Sequence, residues 1–170
     1  MCGRGFIYAA TIGGLEYPLD ILDTAGQEAY ENLRDDWIRQ SDGIVLACDV
    51  TSTGSFAGLD NLFQQVIQVK GWEPQGSKAS VPRLPIIVGN KIDLEERRKV
   101  LTVEGYALAG DLGCMFIEIQ ARDNINVEKP FYDVLKILLS TYPERLDDAP
   151  TARISLWVTL AGDSSCCTIM

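Results

Sequence analysis

Gly43-Ile44-Val45-Leu46-Ala47-Cys48-Asp49-Val50 is the stretch on which the fold turns. It is a continuous apolar run, the pattern of a strand buried on both faces in a parallel sheet. Pro85-Ile86-Ile87-Val88-Gly89 is a second run of the same kind. Between them, Ser55 to Val69 repeats Leu59, Leu62-Phe63 and Val66-Ile67 at helical spacing. Gly71 to Pro85 holds Gly, Pro and Ser and reads as a loop. Thr102 is expected to cap a helix that runs to about Gly113. Met115 to Ile119 is a short strand. Asn126 is expected to cap a helix from Val127 to about Tyr142, with Phe131, Val134-Leu135 and Leu138-Leu139 inward. Pro130 falls in its first turn, where the amide has no intrahelical partner. Upstream, Phe6 to Ile12 and Leu15 to Leu22 read as antiparallel strands around a Gly13-Gly14 turn. Ala29 to Arg39 reads as a helix with Leu33, Trp37 and Ile38 on one face. Strand and helix alternate from Gly43 onward, which predicts an α/β domain with a doubly wound, mostly parallel sheet. Ligands of such sheets bind outside the carboxyl ends of the strands. Asp23, Asn90 and Ala121 each follow a predicted strand and are expected to share that edge.

Length and composition bound the function. A chain of 170 residues is one ordinary domain with room for a substantial core. Net charge is −9 with no histidine. The charge argues against nucleic acid, which needs a basic face, and the absence of histidine excludes a His-based triad or His zinc site. The five cysteines, Cys2, Cys48, Cys114, Cys166 and Cys167, show neither C-x-x-C nor a disulfide ladder. A reducing compartment is the natural reading. Cys48 and Cys114 lie in apolar runs and read as core. No apolar stretch approaches the ~20 residues of a membrane helix, and no signal peptide opens the chain. Residue 2 is not Gly, which argues against N-myristoylation.

The chemistry sits at the predicted strand ends. Asp23-Thr24-Ala25-Gly26-Gln27-Glu28 follows an apolar strand. A carboxylate at Asp23 can hold Mg²⁺ through water. Gly26 lets a backbone N–H approach a phosphate, and Gln27 can orient an attacking water. A polar turn is the plainer reading of a bare D-x-x-G; the full hexapeptide after a strand favours the functional one. Asn90-Lys91-Ile92-Asp93 follows the second buried strand. An Asp93 carboxylate can accept hydrogen bonds from guanine N1–H and the 2-amino group, which adenine lacks. Asn90 can bond guanine N7 and tie neighbouring loops, and the Lys91 stem can lie across the base. A polar strand exit with a surface lysine is the alternative for the tetrapeptide alone. Glu118-Ile119-Gln120-Ala121-Arg122 occupies the place of a third base-contact loop, where the Ala121 N–H would donate to guanine O6; a bland strand exit explains it equally well. Cys167-Thr168-Ile169-Met170 fits C-a-a-X with a preference for farnesyl, and Cys166 is placed for a palmitoyl chain. One lipid anchors marginally and two suffice. An unmodified frayed tail is the plainer alternative; the motifs upstream favour the lipidated reading.

These residues resemble the Ras family of small GTPases, from about Leu15 to Leu139 and again at the C-terminal box. Arg34-Asp35-Asp36-Trp37-Ile38-Arg39 and Asn126-Val127-Glu128-Lys129 also look like Ras or Rap segments in a fungal style. The resemblance implies a P-loop GTPase fold and hydrolysis of GTP to GDP, with GTP/GDP and Mg²⁺ bound. It makes Asp23 to about Trp37 switch II and Gln27 the hydrolytic residue. Asp23, Gly26, Asn90, Lys91, Asp93, Ala121 and Arg122 become the nucleotide contacts. It further implies effectors, an exchange factor and a GTPase-activating protein acting through switch II. A prenyltransferase would act at Cys167, and a lipid anchor would hold the protein on the cytoplasmic face of the plasma membrane.

The sequence departs from that family in four ways. No Gly-Lys dipeptide occurs, so G-x-x-x-x-G-K-[ST] has no counterpart. Only 22 residues precede Asp23, roughly 35 fewer than the family pattern needs, so switch I has none either. Gln120 stands where the family usually has Ser. The loop Gly71 to Leu84 is longer than usual, and the tail from Asp147 carries Arg153 as its only basic residue. The family places one more strand inside the sheet, between the Leu15–Leu22 and Gly43–Val50 strands. The expectation is therefore an incomplete GTPase domain over 1–143, lacking its first central strand, and a variable, exposed tail over 144–170. An empty slot would leave backbone groups unpaired at a cost on the order of several kcal/mol, comparable to the ~5–15 kcal/mol stability of a domain. A less favoured alternative has β-prone Ile154 to Leu160 filling the slot, with Gly162-Asp163-Ser164-Ser165 then near the phosphates. Weak or no nucleotide binding is expected, because base contacts alone do not replace the phosphate and Mg²⁺ cage. Beside the switch stand two other readings: a nucleotide-free pseudo-GTPase serving as a membrane-anchored interaction module, and a truncated gene model.

Overall fold

In the computed structural model, residues 3–24, 31–72, 83–142 and 153–161 are described. The chain opens with a hairpin. Strand β1 (Gly3–Ile12) pairs antiparallel with β2 (Leu15–Thr24), from Ile12 opposite Leu15 to Gly3 opposite Thr24. The two turn residues, Gly13 at φ 60° and Gly14 at φ 83°, take left-handed conformations that cost glycine no Cβ clash. Helix α1 (Glu31–Gln40) follows, then β3 (Gly43–Asp49), α2 (Thr53–Lys70), β4 (Arg83–Asn90) and a 3₁₀ turn over Ile92–Arg97. Helix α3 (Thr102–Leu112), β5 (Cys114–Glu118), α4 (Lys129–Thr141) and β6 (Ile154–Leu160) complete the described elements.

These form one six-stranded sheet in the order β1-β2-β6-β3-β4-β5, parallel throughout except for the β1–β2 hairpin. The position of β6 overturns one expectation. Ile154 to Leu160 is not an exposed tail but a central strand in the slot between β2 and β3. Ile21 pairs with Leu156 on one side, and Ile44 with Trp157 on the other. The ladder continues past the strand, where the Ala161 N–H donates to the Ala47 carbonyl at 2.8 Å. The physical reason is the cost of the vacancy. Two apolar strands with bare inner edges gain paired backbone groups when a β-branched and aromatic segment enters between them.

Both faces of β6 are buried. Ile154, Leu156, Val158 and Leu160 join Leu19, Ile21, Val45, Ala47, Val88 and the inner side of α4 (Phe131, Val134, Leu135, Leu138) in one cluster. Trp157 faces the other way, with Ile38, Ile44, Leu46, Leu59, Phe63 and Ile87, beneath α1 and α2. Helix α2 begins at Ser52, whose Oγ accepts from the Ser55 N–H at 3.3 Å, and ends at Gly71 in the left-handed region.

Three local readings change. Leu33 lies on the exposed side of α1, while Ile38 is fully buried and Trp37 half-buried. Thr102 is the first residue of α3 rather than its cap. The Leu101 N–H donates to Glu104 Oε2 at 2.6 Å, and the Thr102 hydroxyl turns to Glu118 Oε1 at 3.0 Å. Asn126 does not cap α4, which starts at Lys129 behind Glu128. Asn126 instead adopts φ 58° and donates its amide to the Glu118 carbonyl at 3.3 Å.

Candidate functional site

The parallel strands bring their carboxyl ends to one edge. Asp23 lies opposite Val158, Asp49 opposite Asn90, and Gly89 opposite Glu118. The edge therefore gathers Asp23, the end of β6, Asp49, Asn90 and the loop after β5.

Asn90 is the knot of this edge. It is the last residue of β4 and only 2% exposed. Its Oδ1 accepts from the Lys91 N–H at 2.7 Å and from the Ala121 N–H at 3.3 Å. One side chain thus joins the loop after β4 to the loop after β5. Ala121 N–H, the donor assigned to guanine O6 from sequence, is engaged with Asn90 here. Lys91 takes φ 69°, a left-handed conformation rare for a residue with a Cβ. That turn starts the 3₁₀ segment in which Asp93 is exposed at the first turn.

The Lys91 side chain runs back to β3. Its Nζ pairs with Asp49 Oδ2 at 2.6 Å. Asp49 Oδ1 accepts from the Thr51 N–H at 2.8 Å and the Thr51 hydroxyl at 2.7 Å. The Ser55 hydroxyl accepts from the Asp49 N–H at 3.0 Å, and its single proton faces both the Asp49 carbonyl at 3.1 Å and the Ser52 carbonyl at 3.0 Å. Burial pushes the Asp49 carboxyl up, but hydrogen bonds from Lys91 and Thr51 and the Lys91 charge outweigh it. The net effect holds the group below the ordinary carboxylate value, as an anion. Sequence reasoning gave Asp49 no role. The available signal was a carboxylate closing an apolar strand, as Asp23 does.

The third loop is closed by its own residues. Gln120 and Ile125 exchange backbone hydrogen bonds at 3.0 and 2.9 Å, and the Gln120 amide reaches the Asp123 carboxylate. Gln120 is 8% exposed, so this departure from the usual Ser is accommodated inside the loop. Arg122 is exposed at its tip. Behind the loop, the Arg98 guanidinium meets Glu118 Oε1 at 2.8 Å and Glu95 Oε2 at 2.7 Å. That brace joins the 3₁₀ turn carrying Asp93 to the end of β5.

Asn90, Lys91 and Ala121 are therefore brought together, with the exposed Asp93 carboxylate on the turn that follows Lys91 and both backbone N–H groups engaged by Asn90 Oδ1. Asp23 is half-buried near the end of β2. Gly26, Gln27, Cys166 and Cys167 lie outside the described residues. Among the described residues no group of three or more His, Cys, Asp or Glu is placed to hold a metal ion. Cys48 is buried and Cys114 half-buried; desolvation pushes both thiols up to about 12.

The family model described as "Ras family" matches residues 6–140. The chain belongs to the Ras family. Its similarity to curated members is substantial. It is 46% identical over 132 residues to "Ras-like protein 1" of Pyricularia oryzae, covering 71% of this chain and 54% of that protein. It is 44% identical over 135 residues to "Ras-like protein B" of Aspergillus fumigatus, covering 71% of this chain and 56% of the relative. It is 44% identical over 138 residues to "Protein ras-2" of Neurospora crassa, covering 75% and 60% respectively. This Ras-family chain thus spans little more than half the length of these relatives. Ras-family GTPases bind GTP or GDP with Mg²⁺ and work with effectors, exchange factors and GTPase-activating proteins.

Proposed function

We propose that this chain carries the guanine-recognising part of a Ras-type nucleotide switch. One observation carries the reading: Asn90 Oδ1 accepts from both the Lys91 and the Ala121 N–H, holding two base-contact loops together beside an exposed Asp93. Asp93 accepts from the guanine N1–H and 2-amino group, and the Lys91 stem lies along the ring. In the same reading Asp23 serves Mg²⁺ through water, Gly26 faces a phosphate and Gln27 orients the hydrolytic water. Cys167 takes a farnesyl group and Cys166 a palmitoyl group, placing the switch on the cytoplasmic face of the plasma membrane. Among the described residues no helix is long and apolar enough to cross a membrane. Because this chain has no Gly-Lys dipeptide to grip phosphates, its affinity for GDP is weak.

Titration of the ¹⁵N-labelled chain with GDP and, separately, ADP tests the reading. GDP at millimolar concentration is expected to shift the amides of Lys91, Asp93 and Ala121, and ADP to leave them in place. Equal responses to the two nucleotides would contradict it.

A second reading, a nucleotide-free interaction module, draws on a different observation. The described sheet is closed by β6, and no buried side-chain polar atom in the described residues lacks a partner. Both inner strand edges are thus paired within the chain itself. A stable, monodisperse chain whose amides ignore GDP would favour this reading.

A further inference from the structure

We infer that Asp49 is a positioning residue for base recognition, acting through Lys91 and never touching the ligand. The inference rests on the guanine reading of the site. Lys91 is the one base-contact residue whose usefulness depends on a long, flexible stem. A free lysine side chain loses rotamer freedom when it is fixed. Here the fixing is already done at both ends. The backbone is held by the hydrogen bond from Lys91 N–H to Asn90 Oδ1 and by the left-handed turn at φ 69°. The ammonium is held at 2.6 Å by Asp49 Oδ2. The stem therefore bridges the exits of β3 and β4, which are neighbours in the sheet at Asp49 and Asn90.

Asp49 is equipped to be a fixed anchor. It is 5% exposed. Its second oxygen is held by Thr51 N–H and hydroxyl, its own N–H donates to the Ser55 hydroxyl, and its carbonyl accepts from the Ser52 N–H at 2.9 Å. An ion pair kept only for stability would gain little here, because burying a carboxylate costs nearly what the pairing returns. Pre-arranging Lys91 gives the pair a second consequence, since ordering done before binding is not charged against affinity. A lysine stem stacks on any purine, so Asp49 governs affinity and leaves the choice of base to Asp93.

The test uses the full chain, with GDP and inosine diphosphate as probes followed by NMR titration. Asp49→Asn keeps an acceptor for Thr51 and removes the charge that holds Lys91. It is expected to weaken both nucleotides by the same factor, about tenfold. Lys91→Met keeps the stem and loses the ammonium; it should weaken both to a similar degree. Adding Asp49→Asn to Lys91→Met should then change nothing further. Asp93→Asn, by contrast, should weaken GDP more than inosine diphosphate, which lacks the 2-amino group. If Asp49→Asn leaves both affinities unchanged, or weakens them equally in the Lys91→Met background, the inference is overturned while the guanine reading survives. Absence of GDP binding by the wild-type chain overturns both. Should Asp49→Asn fold poorly, the Lys91→Met comparison decides alone. Unchanged affinity there shows that the anchored ammonium plays no part.

Discussion

The indole Nε1–H of Trp157 donates to Thr24 Oγ1 at 2.9 Å, across 133 positions of sequence. The same hydroxyl donates to the Val158 carbonyl at 3.2 Å. A side chain of β6 and one of β2 thus close a buried hydrogen-bond chain beside the candidate site. Trp157 is 1% exposed and Thr24 4%, so neither group has water as a substitute partner. The contact fixes the register of the strand that fills the centre of the sheet.

Thr24→Val keeps the shape of that residue and removes its acceptor. The stranded indole N–H is expected to cost about 1–3 kcal/mol of unfolding free energy, read as a shift in urea midpoint. Combining it with Trp157→Phe should cost less than the sum of the single changes, because the partner is then gone.

Gly105 sits inside α3, where alanine would ordinarily gain about 1 kcal/mol in helix propensity. A Cβ at this position would lie 2.2 Å from Phe116 Cζ and 2.4 Å from Cε1. Phe116 is itself held edge-on by Tyr106, with ring centroids 5.3 Å apart. Gly105→Ala is therefore expected to destabilise despite the propensity, by about 1–3 kcal/mol from overpacking. Differential scanning calorimetry of the variant reads the sign directly.

Cys48 and Cys114 set an alkaline limit. Both thiols are pushed by burial from 9.0 to about 12 in the folded chain. The unfolded chain ionises first, so their contribution is fully present below pH 9 and is lost as pH rises from 9 toward 12. Urea titrations across that range should show falling stability. The double variant Cys48→Ala/Cys114→Ala should flatten the slope. In the native chain at neutral pH both cysteines should resist iodoacetamide, whose target is the thiolate.

Much of this architecture was legible in the residues. The Gly13-Gly14 turn, the apolar runs at Gly43 and Pro85 and the spacing of α2 are local signals, and each element formed where its pattern placed it. The strand at Ile154 is only the less favoured alternative on sequence grounds, for a physical reason. Its β propensity is local information, but its partners Ile21 and Ile44 lie more than 100 residues away, and parallel pairing leaves no turn to betray them. At the site, Asn90, Lys91, Asp93 and Ala121 were recognisable as types in a pattern. The role of Asp49 was not, because an acid at a strand exit reads as solvated until the Lys91 contact is seen. Asn126 was misread for a similar reason: its side chain can cap a helix or support a left-handed turn, and only the Glu118 carbonyl decides between them.

Native-state hydrogen exchange of the full chain tests the central claim, that Ile154–Leu160 completes the sheet from within. Burying Ile154, Leu156, Trp157, Val158 and Leu160 at about 1.5–3 kcal/mol each is worth on the order of the whole domain's stability. The amides of Leu156 to Leu160 are therefore predicted to exchange only by global unfolding, as slowly as those of Val45 to Cys48 in β3. Rapid exchange of the Leu156–Leu160 amides, with β3 still protected, would show an unpaired tail and contradict the account.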